Sequence, residues 1–162
     1  MTDKQTLQEK FWKTLASDRT VMLGAEGIYP RPMTAQAENA RGPIWFFTSI
    51  DTELGQATER GRELSALMML TAKGHELFAT LGGRLRQDND PAVIDRLWNP
   101  FVAAWYEGGQ TDPKLRLLRL EPGVAEIWEN GSSVLAGIKT LLGIDPKDDY
   151  RDQAKKVRLG KG

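Results

Sequence analysis

Two apolar runs separated by a two-residue turn constrain this chain more than any other feature. "ELSALMMLTA" (63–72) is apolar on both faces, Lys73–Gly74 turns the chain, and "HELFATLGGRLRQ" (75–87) follows as a second strand. So short a connection has no room for the crossover that parallel neighbours need, so the pair is antiparallel. A strand apolar on both faces belongs at the centre of a sheet. The Gly82–Gly83 pair in the second run marks a bulge or bend.

The period of two recurs along the chain. Val21, Leu23 and Ala25 alternate before a turn at Gly27, and residues 33–38 and 44–49 read as two strands joined across Asn39–Gly42. "LRLLRLEPGVAEIWEN" (115–130) is one long strand or two, interrupted at Pro122–Gly123. Helical spacing takes over elsewhere. Leu7, Phe11, Trp12 and Leu15 share one face over 4–16, with Asp3 or Thr6 as the cap. A short polar helix follows Asp51 or Thr52, and Asp90–Pro91 starts another whose inner face is Val93, Ile94, Leu97 and Trp98. Val134, Leu135, Ile138, Leu141 and Leu142 predict a last amphipathic helix. The sum is an α+β domain: a six-stranded antiparallel sheet rolled into a small barrel, with peripheral helices. Residues 1–144 form the domain, and 145–162 are read as a charged, mobile tail.

Composition removes several function classes. Net charge is zero, which gives no bulk attraction to nucleic acid or to an anionic membrane. The chain has no cysteine and one histidine, so thiol nucleophiles and multi-histidine metal centres are excluded, and no metal is expected. No apolar run approaches the roughly 18 residues of a membrane helix, and the charged N-terminus is no signal peptide, so a cytoplasmic protein is expected. There is no nucleophile elbow, Walker loop or dinucleotide fingerprint. His75 reads as a rim residue, and helix capping accounts for Asp88–Asp90. No catalytic residue is identified.

What remains suggestive is "YPRPMTAQAEN" (29–39) followed by "IWFFTS" (44–49). Pro30 and Pro32 hold Arg31 extended, lowering the entropy lost when its guanidinium is fixed on an anion. Thr34, Thr48 and Ser49 add hydroxyls at neighbouring strand ends. Residue types alone slightly favour an edge strand facing water. Trp12, Trp45 and Trp98 read as core, whereas Trp128 fits either a core edge or stacking on a planar ligand.

In their order, "RPMTA", "IWFFTS", "RLWNPF", "GGQTDPKLRLLRLEP" and "AEIWEN" resemble the general stress protein branch of the pyridoxamine 5′-phosphate oxidase-like, FMN-binding split-barrel family. The resemblance spans roughly residues 7–130. It implies a homodimer with FMN, or FAD, in clefts at the subunit interface. Arg31, Pro32, Met33 and Thr34 correspond to the strand beside the flavin ring, and Phe47, Thr48 and Ser49 to the strand end that approaches the ribityl phosphate. Trp128, in the pattern formed with Pro122 and Glu126, corresponds to the tryptophan that reaches the flavin from the partner subunit. The chain departs from the pattern in two places. The basic residue expected a few positions after Ser49 is missing, with Leu54 near that place and Arg60 and Arg62 the next cations. One lost charge-assisted phosphate bond is worth about 1.5–3 kcal/mol, one to two decades of affinity. "WENGSSVLAGIK" replaces the stretch that holds the vitamin phosphate in the oxidases, so pyridoxamine phosphate oxidation is not expected. The implied function is a flavin-binding stress protein with a redox role. The alternatives are a non-enzymatic flavin store, sensor or interaction module, and a deazaflavin-dependent reductase.

Overall fold

The computed structural model describes residues 3–129 and 154–160. The elements are α1 (Asp3–Ser17), β1 (Thr20–Ala25), β2 (Ile28–Thr34), β3 (Gln36–Ala37), β4 (Ile44–Ser49), α2 (Glu53–Ala57), β5 (Leu64–Thr71), β6 (Leu77–Gln87), α3 (Pro91–Leu97), α4 (Pro100–Ala103), β7 (Leu115–Glu129) and β8 (Ala154–Arg158). Short 3₁₀ turns occupy Glu59–Gly61 and Gly109–Thr111.

Hydrogen bonding runs in the order β2-β1-β5-β6-β7-β4-β3, antiparallel throughout. The strand apolar on both faces, β5, lies inside this path as its sequence requires. β2 and β3 are the two ends of the path, yet Ala35 alone separates them in sequence. Two Cα–Cα steps reach at most about 7 Å. The sheet must therefore roll until its edges meet, which makes the split barrel. β7 is long enough to hold two partners on one edge, β4 along Leu115–Leu120 and β8 along Val124–Trp128.

The α+β split-barrel expectation holds, with seven strands along the path in place of six and β8 added beside β7. The expected strand over 33–38 is instead the end of β2, a break at Ala35, and β3. β2 begins earlier than expected and accommodates Pro30 and Pro32 because it is an end strand of the path. The buried Ala35 donates its N–H to the Arg19 carbonyl at 2.8 Å, fixing the corner. β7 continues through Pro122–Gly123, and the mismatch is absorbed opposite, where register shifts between Leu81 and Gly83. Part of the presumed tail is β8 and its continuation, whose Val157 and Leu159 are buried in the core. The helix expected around 134–142 lies outside the described residues.

One face of the sheet points into the barrel: Val21, Leu23, Ile44, Phe46, Met68, Leu70, Leu81, Leu118 and Leu120 pack there with Leu7, Phe11, Trp12 and Leu15 of α1. A second, smaller cluster covers the outer face of β4. Trp45 and Phe47 meet Val93, Ile94, Leu97 and Trp98 of the α3 region and Tyr106. The alternation within "IWFFTS" thus feeds two cores, which explains why so short a strand is so aromatic.

Candidate functional site

The β4 strand ends in a corner built by hydroxyl groups. Thr52 caps α2: its Oγ1 accepts from the Gly55 N–H at 3.0 Å and donates to the Ser49 carbonyl at 2.9 Å. A hydroxyl has a single hydrogen, so in the 2.7 Å contact between Thr48 Oγ1 and Thr52 Oγ1 the Thr48 hydroxyl is the donor. Thr48, buried, thereby uses its hydrogen to hold the turn. Ser49 remains partly exposed, with its Oγ accepting from the Asp51 N–H at 3.3 Å. α2 lies so close to β4 that a Cβ on Gly55 would sit 2.0 Å from the Ser49 carbonyl oxygen.

From the other side, Tyr106 donates its buried hydroxyl to the Thr48 carbonyl at 2.7 Å. Its ring lies 6.4 Å from Phe47 and 6.1 Å from Trp98, so three aromatic rings brace the corner. Burial, helped by the nearby Asp112 carboxylate, pushes the Tyr106 phenol up to about 12. It therefore stays a donor at every physiological pH. Sequence reading missed Tyr106. Its signal was weak, an aromatic residue in a stretch that shares no strand or helix with the site.

Arg31 is brought to this corner by the barrel. It pairs in register with the core residue Leu23, so it faces inward, as does Met33 opposite Val21. Pro32 and Thr34 are exposed on the opposite face. The Arg31 guanidinium reaches Glu53 at the start of α2, with Nη2 to Oε1 at 3.0 Å. Its Nε is buried and has no hydrogen-bond partner among the described residues. A buried guanidinium N–H left unsatisfied is costly, and an anionic group with two acceptor oxygens at this corner would satisfy it.

Two further cations arrive that the sequence did not single out. Arg116 pairs with Thr48 across the β4–β7 ladder and donates to Glu59 Oε1 at 3.1 Å. Lys114 lies 3.6 Å from Asp51. Arg116 and Lys114 are thus the cations that the fold sets beside the end of β4, while Arg60 and Arg62, on and just after the 3₁₀ turn, are exposed. Each of the three cations at the corner already faces a carboxylate, and all three carboxylates come from residues 51–59.

Trp128 is not brought to this corner within the chain. It flanks the buried Ile127 on β7, so it faces outward, half-exposed between Phe78 and Ala154. Twelve residue steps along β7 lie between it and Arg116, a contour of about 40 Å.

The other candidates have structural partners. Asp90 caps α3, Asn89 accepts from the Leu117 N–H at 2.7 Å, and Asp88 pairs with Arg119. His75 is exposed in its turn with the ring stacked on Phe78. No group of three potential metal ligands occurs among the described residues.

Comparison with known proteins agrees with this architecture. The pyridoxamine 5′-phosphate oxidase-like family model matches residues 6–147. The chain belongs to that family. A solved structure of a protein assigned to a general stress family in Xanthomonas campestris pv. campestris is 57% identical, covering 82% of this chain and 93% of that one, with a TM-score of 0.74. The general stress FMN/FAD binding protein of the phytopathogen Xanthomonas citri is 58% identical over 80% of this chain and 92% of its own, with a TM-score of 0.73. A protein assigned as general stress protein 26 in Jannaschia sp. CCS1 covers 97% of this chain and 99% of its own at 28% identity, with a TM-score of 0.77. No curated protein matches the sequence. This family member pairs a split barrel with a corner of strand-end hydroxyls, three guanidinium or ammonium groups, and one buried N–H without an acceptor.

Proposed function

We propose that this chain is a flavin-binding stress protein that holds FMN, or FAD, at the corner made by β2, the end of β4 and the start of α2. The observation that carries the reading is the buried, partnerless Nε of Arg31 beside the hydroxyl-bearing end of β4. The Xanthomonas citri relative, an FMN/FAD binding protein at 58% identity, supports it.

In this reading Arg31 and Ser49 meet the phosphate, with Arg116 and Lys114 as nearby cations. Thr48 and Tyr106 keep the end of β4 in place, while Pro32, Met33, Thr34 and Phe47 shape the strands beside the ring. A bound flavin supplies hydride or single-electron chemistry itself, so the chain's contribution is to bind, orient and shield it. The protein acts as a homodimer in the cytoplasm. The partner subunit's Trp128 completes the cleft, since within one chain the tryptophan lies far along β7 from Arg116. No helix among the described residues is long and apolar enough to cross a membrane.

The test is FMN titration followed by desalting. Purified protein is expected to quench flavin fluorescence and stay yellow; colourless protein with no quenching refutes flavin binding. Adding NADH or NADPH to the loaded protein then tests the redox role. Bleaching of the bound flavin supports an oxidoreductase, whereas no reduction by either donor favours a flavin carrier.

A further inference from the structure

A cavity of about 410 Å³ lies away from the flavin corner, lined by Gln8, Trp12, Ala40, Arg41, Arg158, Leu159 and Gly160. Its walls are fixed by packing on one residue. A Cβ on Gly42 would lie 2.7 Å from the Pro122 ring, and one on Gly160 would lie 2.0 Å from the Pro122 carbonyl oxygen. The Leu159 N–H donates to the Gly123 carbonyl at 2.8 Å, and Gln8 Nε2 donates to the Arg158 carbonyl at 2.7 Å. The turn after β3 and the segment after β8 are thereby clamped on either side of the bend in β7, with α1 alongside.

The chemistry of this lining is one-sided. Arg41 and Arg158 both line it, and neither guanidinium has a hydrogen-bond or ion-pair partner among the described residues. No carboxylate among the described residues lines it. Arg84, Arg96 and Arg119, by contrast, each pair with an acid. A bare inorganic ion would leave most of the space unfilled, since cavities of several hundred Å³ suit small organic ligands. The lining is mostly polar, and Ala40 with the small accessible parts of the core residues Trp12 and Leu159 supplies its apolar remainder.

We infer that this cavity binds a small organic anion, an acidic head held by Arg41 and Arg158 with a small flat body over Ala40 and the accessible part of Trp12. The acidic head is a phosphate or a carboxylate, and both engage two guanidinium groups in the same way. Arg41 precedes β4 and Ser49 ends it, so the cavity and the flavin corner sit at opposite ends of that strand.

Calorimetric titration of the full chain with phenyl phosphate, benzoate and benzyl alcohol tests the inference. One or both anions are expected to bind, and benzyl alcohol is expected not to. Whichever anion binds better identifies the head. Arg41→Ala and Arg158→Ala are each expected to weaken that anion 10- to 100-fold. Both residues are exposed, so unchanged melting temperatures confirm intact folding. FMN affinity should be unaffected in both variants, and Arg31→Ala should leave anion binding unchanged. Failure here is therefore distinguishable from failure of the flavin reading. Absence of binding by either anion, equal binding of the neutral alcohol, or loss of binding in Arg31→Ala alone overturns it.

Discussion

If the flavin phosphate binds at Arg31 as proposed, Glu53 competes with it for that guanidinium, and neutralising Glu53 is expected to tighten binding. The carboxylate holds Arg31 at 3.0 Å with its own side chain 64% exposed. An exposed pair of this kind adds at most about 1 kcal/mol to stability, so Glu53→Gln is expected to fold with a melting temperature close to that of the parent. Its effect on a ligand is larger, because a phosphate bound at Arg31 meets the carboxylate as a like charge. Two unit charges about 5 Å apart repel by about 1 kcal/mol at the dielectric constant of water, and by more where solvent is partly excluded. A net gain of about 1–2 kcal/mol corresponds to roughly 5- to 30-fold tighter binding. The assay is quenching of FMN fluorescence in low salt, repeated with riboflavin. The gain should be confined to FMN, because riboflavin has no phosphate, and it should shrink as salt rises. Equal tightening for riboflavin, or no tightening for FMN, would refute the reasoning.

The same geometry makes further predictions. Arg31→Ala should fold normally and weaken FMN by one to two decades, about 1.5–3 kcal/mol for a charge-assisted bond, as read in the same quenching assay. Gly55→Ala places a methyl against the Ser49 carbonyl oxygen and should destabilise the fold by about 1–3 kcal/mol in urea denaturation while also weakening FMN. Tyr106→Phe should cost about 1 kcal/mol. Because the folded Tyr106 titrates at about 12, above its ordinary 10.0, its contribution is fully present below pH 10 and lost as pH rises toward 12. The difference between parent and Tyr106→Phe in alkaline denaturation reads that loss. Glu38 behaves with the opposite sign. The Arg96 guanidinium, at 2.7 and 3.0 Å, holds its carboxyl below the ordinary 4.5, so its contribution is present above pH 4.5 and lost as pH falls. Glu38→Gln should accordingly flatten the acid limb of the stability profile.

The barrel was legible because its signals are local. Alternation, the Lys73–Gly74 turn, the Thr52 and Asp90 caps and the Gly82–Gly83 irregularity each depend on a few neighbouring residues. Strand β2 starts at Ile28, five residues before the strand expected from 33, because the prolines of an end strand need no ladder partner on their free side. β8 was read as tail because three of its five residues are charged; pairing with the second half of β7 and burial of Val157 outweigh that composition. In the site, Arg31 and Ser49 stood out through their own sequence context. Glu53, Glu59, Arg116 and Tyr106 did not, since each acts through a partner on another element. Spatial ion pairing of that kind leaves no periodic trace.

The most direct test is a crystal structure of the chain soaked with FMN. The phosphate is expected within hydrogen-bond distance of the Arg31 guanidinium and Ser49, with Glu53 turned away and the partner subunit's Trp128 against the cleft. A flavin bound elsewhere, with Arg31 still on Glu53 and its Nε without a partner, would contradict the account.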